Sequence, residues 1–259
     1  MGSYEAKSHY RGSVAANYVR ARAADPKWRR EQETMREVLG RLPRGRLILD
    51  VPFGTGRFAE YYAAGGHRVL GTDISRDMLA QSRAGDAVRA LAPALVQADA
   101  ERLPLRDESV DYVVCSRLFN WIPAPVAATM LGEFRRVARE GIILGVRVGE
   151  PLPAPAFARQ VVSTIVQAPQ QSAIRVARAT ARRSRALATG LLDRVSPARA
   201  AGRPAPTYPK GYVVPRRADF DEMLRRQGVV ADGVYPVHQV YDFRRHVNKE
   251  LRFYRLRLS

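Results

Sequence analysis

The sequence predicts an α/β protein built on a doubly wound, mostly parallel sheet. Three observations carry that reading. Short apolar runs alternate with helical stretches through the first 150 residues. The first of those runs opens directly into a glycine-containing loop, Pro52-Phe-Gly-Thr-Gly56. After residue 211 the order becomes one helical stretch and two strand-like runs, which fits an antiparallel addition at the edge of the sheet. Strands that alternate with helices imply parallel pairing through right-handed crossovers.

Arg46–Val51 is a short buried-strand pattern, and a helical stretch follows from Arg57 to Ala64. Gly65-Gly66 breaks it ahead of a second strand, His67–Asp73. Ser75 is placed to cap the next helix, with Asp77 in its first turn, where a negative charge suits the helix dipole. Ala94–Asp99 and Val110–Cys115 read as the third and fourth strands, and a helix over Val126–Arg139 leads to a fifth, Gly141–Val148. The helix Ala218–Gln227 ends at Gly228, and the runs Gly233–Phe243 and Leu251–Leu258 close the chain. Pro236 lacks an amide donor, so it restricts its strand to an edge or a bulge. The organisation expected is an N-terminal helical cap (1–40), a core (41–150), an insertion (151–210) and a closing segment (211–259).

Composition narrows the function classes. At 46% hydrophobic and 26% charged the chain is ordinary for a globular protein. One cysteine, Cys115, removes a disulfide framework and a cysteine-based zinc site. His9, His67, His238 and His246 show no metal-ligand spacing, so no metal is expected. No apolar run is long enough to span a bilayer and the N-terminus lacks a signal-like stretch, so a cytoplasmic location is expected. The net charge of +18 favours anionic partners. Only four of the 43 basic residues are lysine, an arginine bias that also fits a GC-rich genome. Half of the excess, however, lies in residues 151–210, which hold ten basic residues and the single acid Asp193.

In an open parallel sheet, ligands bind beyond the carboxyl ends of the strands. Four strands here end there in chemically useful residues: Asp50 before the loop, Asp73, Asp99, and the run Cys115-Ser-Arg-Leu-Phe-Asn-Trp-Ile122. With Leu-Asp50-Val-Pro-Phe-Gly54-Thr-Gly56-Arg-Phe, Gly71-Thr-Asp73-Ile-Ser-Arg-Asp-Met-Leu, Ala98-Asp99-Ala-Glu-Arg-Leu-Pro-Leu and Val110-Asp-Tyr-Val-Val in order, the chain resembles the class I S-adenosylmethionine-dependent methyltransferases. The resemblance covers roughly residues 10–148. It implies a Rossmann-like, seven-stranded fold with S-adenosyl-L-methionine as cofactor. It also implies that Asp50, Gly54 and Gly56 surround the amino-acid end of the cofactor and that Asp73 holds the ribose hydroxyls. Asp99 and Ala100 would face the adenine, Met78 would pack on it, and Ser116 would line the site. Tyr18, Arg20 and Arg22 match an N-terminal helix that folds over the methionine carboxylate.

Gly54-Thr-Gly-Arg-Phe-Ala59 also fits the dinucleotide pattern G-x-G-x-x-A, with Asp73 placed as in a nicotinamide site. Asp50 and the Asp99 segment favour the methyltransferase. The chain departs from the family at Pro52, where a glycine is usual, and at Asn120 and Trp121, where many relatives carry histidine. Methyl transfer from a sulfonium needs little acid–base help, so alignment of the acceptor is the main requirement. Tyr10, Asn120, Tyr212 and His238 are the residues that could serve as a base.

Residues 174–192 pattern as a basic amphipathic helix, with Arg175, Arg178, Arg182 and Arg185 on one face. That pattern fits a lid over an anionic, small or lipid-like substrate, or a peripheral membrane contact. RNA is disfavoured because the segment lacks interleaved aromatics for base stacking. The reading is a methyltransferase acting on an O, N or C atom of such a molecule. The alternatives are a non-catalytic protein of the same fold docked to membrane or RNA, or an RNA methyltransferase.

Overall fold

The computed structural model describes residues 4–22, 25–151, 211–242 and 247–258. The expected helix over 174–192 lies outside the described residues. The sheet has seven strands in the order β3-β2-β1-β4-β5-β7-β6. These are β1 (Leu47–Asp50), β2 (Arg68–Asp73), β3 (Ala94–Gln97), β4 (Val110–Ser116), β5 (Ala138–Pro151), β6 (Val229–Asp242) and β7 (Val247–Leu258). β1 to β5 pair in parallel, and β7 enters antiparallel between β5 and β6. The doubly wound reading and its antiparallel closing strand are both present.

Several boundaries move from their expected places. β3 stops at Gln97, so Asp99 stands beyond the strand, in an isolated bridge with Arg102. β5 begins at Ala138, opposite Val110 of β4, and runs on to Pro151 because β7 offers it a partner from Gly141 to that end. β6 starts four residues early, at Val229, directly after the helix-ending Gly228, whose φ of +64° is the left-handed conformation that stops a helix. Pro236 lies on the edge strand β6 and also at a register shift, so both devices that tolerate proline are used.

The helices are α1 (Ala6–His9), α2 (Gly12–Arg22), α3 (Pro26–Gly40), α4 (Ala59–Ala64), α5 (Arg76–Ser82), α6 (Asp86–Leu91), α7 (Ala124–Val137) and α8 (Arg217–Arg226). Asp25 caps α3 by accepting from the Lys27 amide at 2.9 Å, with Pro26 in the first turn. Its buried face carries Trp28, Glu31, Met35, Val38 and Leu39, a helical spacing with one acid in an otherwise apolar stripe. Ser75 caps α5 as expected, accepting from the Met78 amide.

Successive strand residues point to opposite faces, so the central strands feed two cores. Leu49, Ile142 and Leu144 pack with α7 and α8, while Ile48 and Ile143 pack with α3 and α4. α1 and α2 are fastened over the carboxyl edge of the sheet. Lys7 Nζ meets Asp99 at 2.8 Å, the Gly12 amide donates to Asp77 at 2.7 Å, and the Ser75 hydroxyl donates to the Tyr10 carbonyl.

On the other side of that edge, Asn120 joins three segments. Its amide nitrogen donates to the carbonyls of Arg147 and Val213, each at 2.8 Å, and its Oδ1 accepts from the Arg147 amide at 2.8 Å. Its own carbonyl accepts from the Val213 amide. Asn120→Ala leaves those backbone groups unpaired in a buried position. It should lower the unfolding free energy by about 2–4 kcal/mol, read from urea denaturation.

Candidate active site

Three strand ends and the N-terminal helices form a cleft, open to solvent, at the carboxyl edge of the sheet. The loop after β1 forms its floor. The Phe53 amide donates to the Thr72 carbonyl and the Gly54 amide donates to Asp73 Oδ2 at 2.9 Å, so the loop is tied to β2 without the donor that Pro52 lacks. The Phe53 ring fills the space beneath. A Cβ on Gly71 would lie 2.7 Å from that ring, so only glycine fits there.

Two carboxyl groups face the cleft. Asp50 ends β1 and is 2% exposed. Burial pushes its carboxyl well above the ordinary range, against the pull of Tyr62 and Arg57, and Asp73 adds to the rise. Asp73 ends β2 and also accepts from the Ser75 amide at 2.8 Å. Burial lifts it to about 6, and its backbone donors moderate the rise.

Opposite them stands a buried cation. Arg57 Nη1 donates to Glu31 Oε2 at 3.1 Å, and its guanidinium carbon lies 4.4 Å from the Trp28 ring centre and 4.5 Å from that of Phe58. Its Nε and Nη2 are buried with no hydrogen-bond partner in the protein. Glu31 is 1% exposed and also takes the Arg117 side chain, with Nε at 2.6 Å and a second bond from Nη2. Burial raises the Glu31 carboxyl, but Arg117 and then Arg57 outweigh it and hold it below the usual range. Arg117 itself has φ of +65°, a conformation uncommon for a residue with a Cβ, and Glu31 holds it there. Arg22 completes the wall from α2, with its guanidinium 3.9 Å over the Tyr18 ring.

The topology separates this fold from a dinucleotide-binding one, whose six strands run 3-2-1-4-5-6 and whose last strands are parallel. Here an antiparallel β7 is inserted beside β5. Residues 48–141 match the family described as "Methyltransferase domain". Residues 48–141 are a methyltransferase domain.

The chain is 30% identical over 141 residues to the malonyl-[acyl-carrier protein] O-methyltransferase of Pectobacterium atrosepticum, a match covering 53% of each protein. It is 39% identical over 118 residues to the ubiquinone/menaquinone biosynthesis C-methyltransferase of Acidiphilium cryptum, over 44% of this chain and 45% of that one. The matched region thus spans about half the length of these curated relatives. The fold is similar to that of a magnesium protoporphyrin IX methyltransferase from Synechocystis solved with bound S-adenosylhomocysteine. That comparison gives a TM-score of 0.63 at 15% identity over 98% of both chains.

Within the methyltransferase fold, Tyr10, Tyr18, Arg22, Asp50, Gly54, Asp73, Met78 and Ser116 all line the one cleft. Asp99 and Ala100 line an adjoining pocket that shares Pro52, Asp73 and Ile74 as its wall. Gly56 turns inward instead: a Cβ there would lie 2.4 Å from Val88 and 3.0 Å from Phe53, so it serves the packing of the loop. Arg20 sits on the exposed face of α2 and donates to Asn17.

The residues considered as bases separate. Asn120 has its carboxamide engaged in the bonds to Arg147 and Val213, and Tyr212 packs on Trp121 at 4.6 Å in a second cleft. His238 lies on β6 with Arg147 2.6 Å from its Nε2. Burial, then Arg147, push its ring down to about 4, which makes it a weak base. No group of His, Cys, Asp and Glu among the described residues could hold a metal ion.

Sequence reasoning missed Arg57, Arg117 and Glu31. The signals were present: an arginine directly after the glycine loop, another at the end of β4, and one acid in the apolar stripe of α3. The raised proton affinity of Asp73 carries a stability cost, since its folded value lies above the ordinary 3.8. The folded state therefore holds its proton more tightly, and stability falls as pH rises from about 4 to 6. Asp73→Asn removes this titration, so its stability relative to the wild type should increase across that interval. A shift of about two units sets an upper limit of about 3 kcal/mol; paired urea melts at several pH values measure it.

Proposed function

We propose that this protein transfers a methyl group from S-adenosyl-L-methionine to an O, N or C atom of a small or lipid-like molecule. The observation that carries the reading is the convergence of Asp50, Asp73 and the partly unpaired Arg57 on one apolar-walled cleft. A zwitterionic amino acid supplies what that arrangement lacks: a carboxylate for Arg57 Nε and Nη2, and an ammonium beside Asp50. Asp73, still able to accept, suits a vicinal diol. Phe53, Phe58, Ile74 and Met78 provide apolar surface for a flat ring system.

Bound there, the cofactor supplies a methyl group already activated by the sulfonium. The chain's contribution is then orientation and dryness. Tyr10, Tyr18 and Trp121 crowd the mouth of the cleft with ring surface, which limits water and strengthens the charge interactions inside. Ser116 lines this cleft, and Arg117 and Trp121 line both it and the cleft beside it, where an acceptor could approach the methyl group. The two relatives named above carry O- and C-methyltransferase names, so similarity to them leaves the acceptor atom open.

Calorimetry with S-adenosylhomocysteine should give a saturable isotherm that Asp73→Ala weakens at least tenfold. Below pH 6 the affinity should fall about tenfold per unit, because protonated Asp73 can no longer accept from both hydroxyls of a diol. Absence of binding sinks the proposal. Radiolabelled methyl from the cofactor should appear in a small-molecule or lipid fraction of cell extract. Binding without any transfer, or label in RNA alone, would favour the alternatives of a non-catalytic docked protein or an RNA methyltransferase.

A further inference from the structure

Beside the first cleft lies a second, and the two share Arg117 and Trp121 as a common wall. Its side chains are unusual for an acceptor pocket. Lys27 enters from the start of α3, Arg117 from the end of β4 and Arg147 from β5. Three elements thus bring three cations to one concavity. The acids beside them are Asp25 and Glu31. Asp25 caps α3 through the Lys27 amide, and Glu31 is occupied by both Arg57 and Arg117.

His238 reports on the field from the far side. The charged groups facing it are Arg147, Lys27 and Arg117, which disfavour its protonation, and Glu31, which favours it. The cations prevail, in addition to burial. Through its hydrogen bond to Arg147, the neutral ring also fixes one end of that guanidinium without neutralising it. Arg147 is aimed further by its backbone, whose amide and carbonyl are both clamped by Asn120.

We propose that this second cleft is an acceptor-side subsite for an anionic group, a carboxylate or a phosphate, held by Lys27, Arg117 and Arg147. It rests on the methyltransferase reading, because Arg117 and Trp121 place it next to the cofactor cleft. It narrows the substrate class to molecules carrying an anion close to the methylated atom. Guanidinium groups suit such ligands, since their paired donors match two oxygens of a carboxylate or phosphate.

Both tryptophans of the chain report on this region: Trp121 is in the wall, and Trp28 has Arg117 5.6 Å from its ring centre. Intrinsic fluorescence therefore follows occupancy. The protein is first saturated with S-adenosylhomocysteine, then titrated at low ionic strength with malonate and, separately, with pyrophosphate. At least one should give a saturable change, and the better probe tells a carboxylate site from a phosphate site. Arg147→Gln and Lys27→Gln should each weaken that binding at least fivefold and leave S-adenosylhomocysteine affinity within twofold. Lys27 is exposed at the start of its helix, so its variant tests the site even if Arg147→Gln unfolds. Lack of saturable binding by either anion, or binding that neither substitution weakens, overturns the subsite. Failure of S-adenosylhomocysteine to bind is a separate result and overturns the cofactor reading.

Discussion

A single buried carboxylate, Glu31, determines how the walls of both clefts stand. It comes from the inner face of α3 and takes one guanidinium from the loop after β1 and another from the end of β4. Neither arginine could otherwise remain in place, since a buried unpaired charge costs several kcal/mol and two like charges this close repel. The carboxylate converts that repulsion into a fixed fork. Arg57 is left facing the cofactor cleft, and Arg117 stands at the border of the two. Trp28, one turn before Glu31, offers its ring to the same guanidiniums and keeps water from between them.

This arrangement explains why a sheet of ordinary design can support an acidic and a basic surface side by side. Asp50 and Asp73 stand at the ends of adjacent strands, Asp50 opposite Gly71 and so two residues from Asp73 in register, and their spacing follows from the sheet itself. Arg57 and Arg117 come from the segments that leave β1 and β4, and both are held by Glu31 from α3. Their aim depends on Glu31 of α3, a helix that packs against β6, β7 and α4 and on Ile48 of β1. Acid placement is thus a property of the parallel sheet, while the aim of Arg57 and Arg117 also depends on the helix that carries Glu31.

That division also accounts for what could be read in the sequence. The strand pattern, the glycine loop and Asp50 and Asp73 were legible because each is local: an apolar run, a turn, and a residue at its end. Tyr18 and Arg22 were found by their place in the N-terminal helix. Glu31 was not, since one acid on an apolar face gains meaning only from partners 26 and 86 residues away. Asn120 carried the opposite error of emphasis. Its side chain looks chemically able, but its donors and acceptor are taken by backbone that sequence alone does not bring near. Gly56 matched a family position, and its neighbours Val88 and Phe53 show that packing requires the small residue there.

The two ends of the segment 152–210 meet at a closed seam. Pro151 ends β5, and the returning chain is bonded at once to that strand, the Gly149 amide donating to the Pro215 carbonyl at 2.9 Å and Val213 pairing with Asn120. These are main-chain bonds, so the seam does not depend on the side chains of that segment. The seam is thus a joint at which the sequence between can change while the bonds that tie β5 to the closing part of the sheet stay the same.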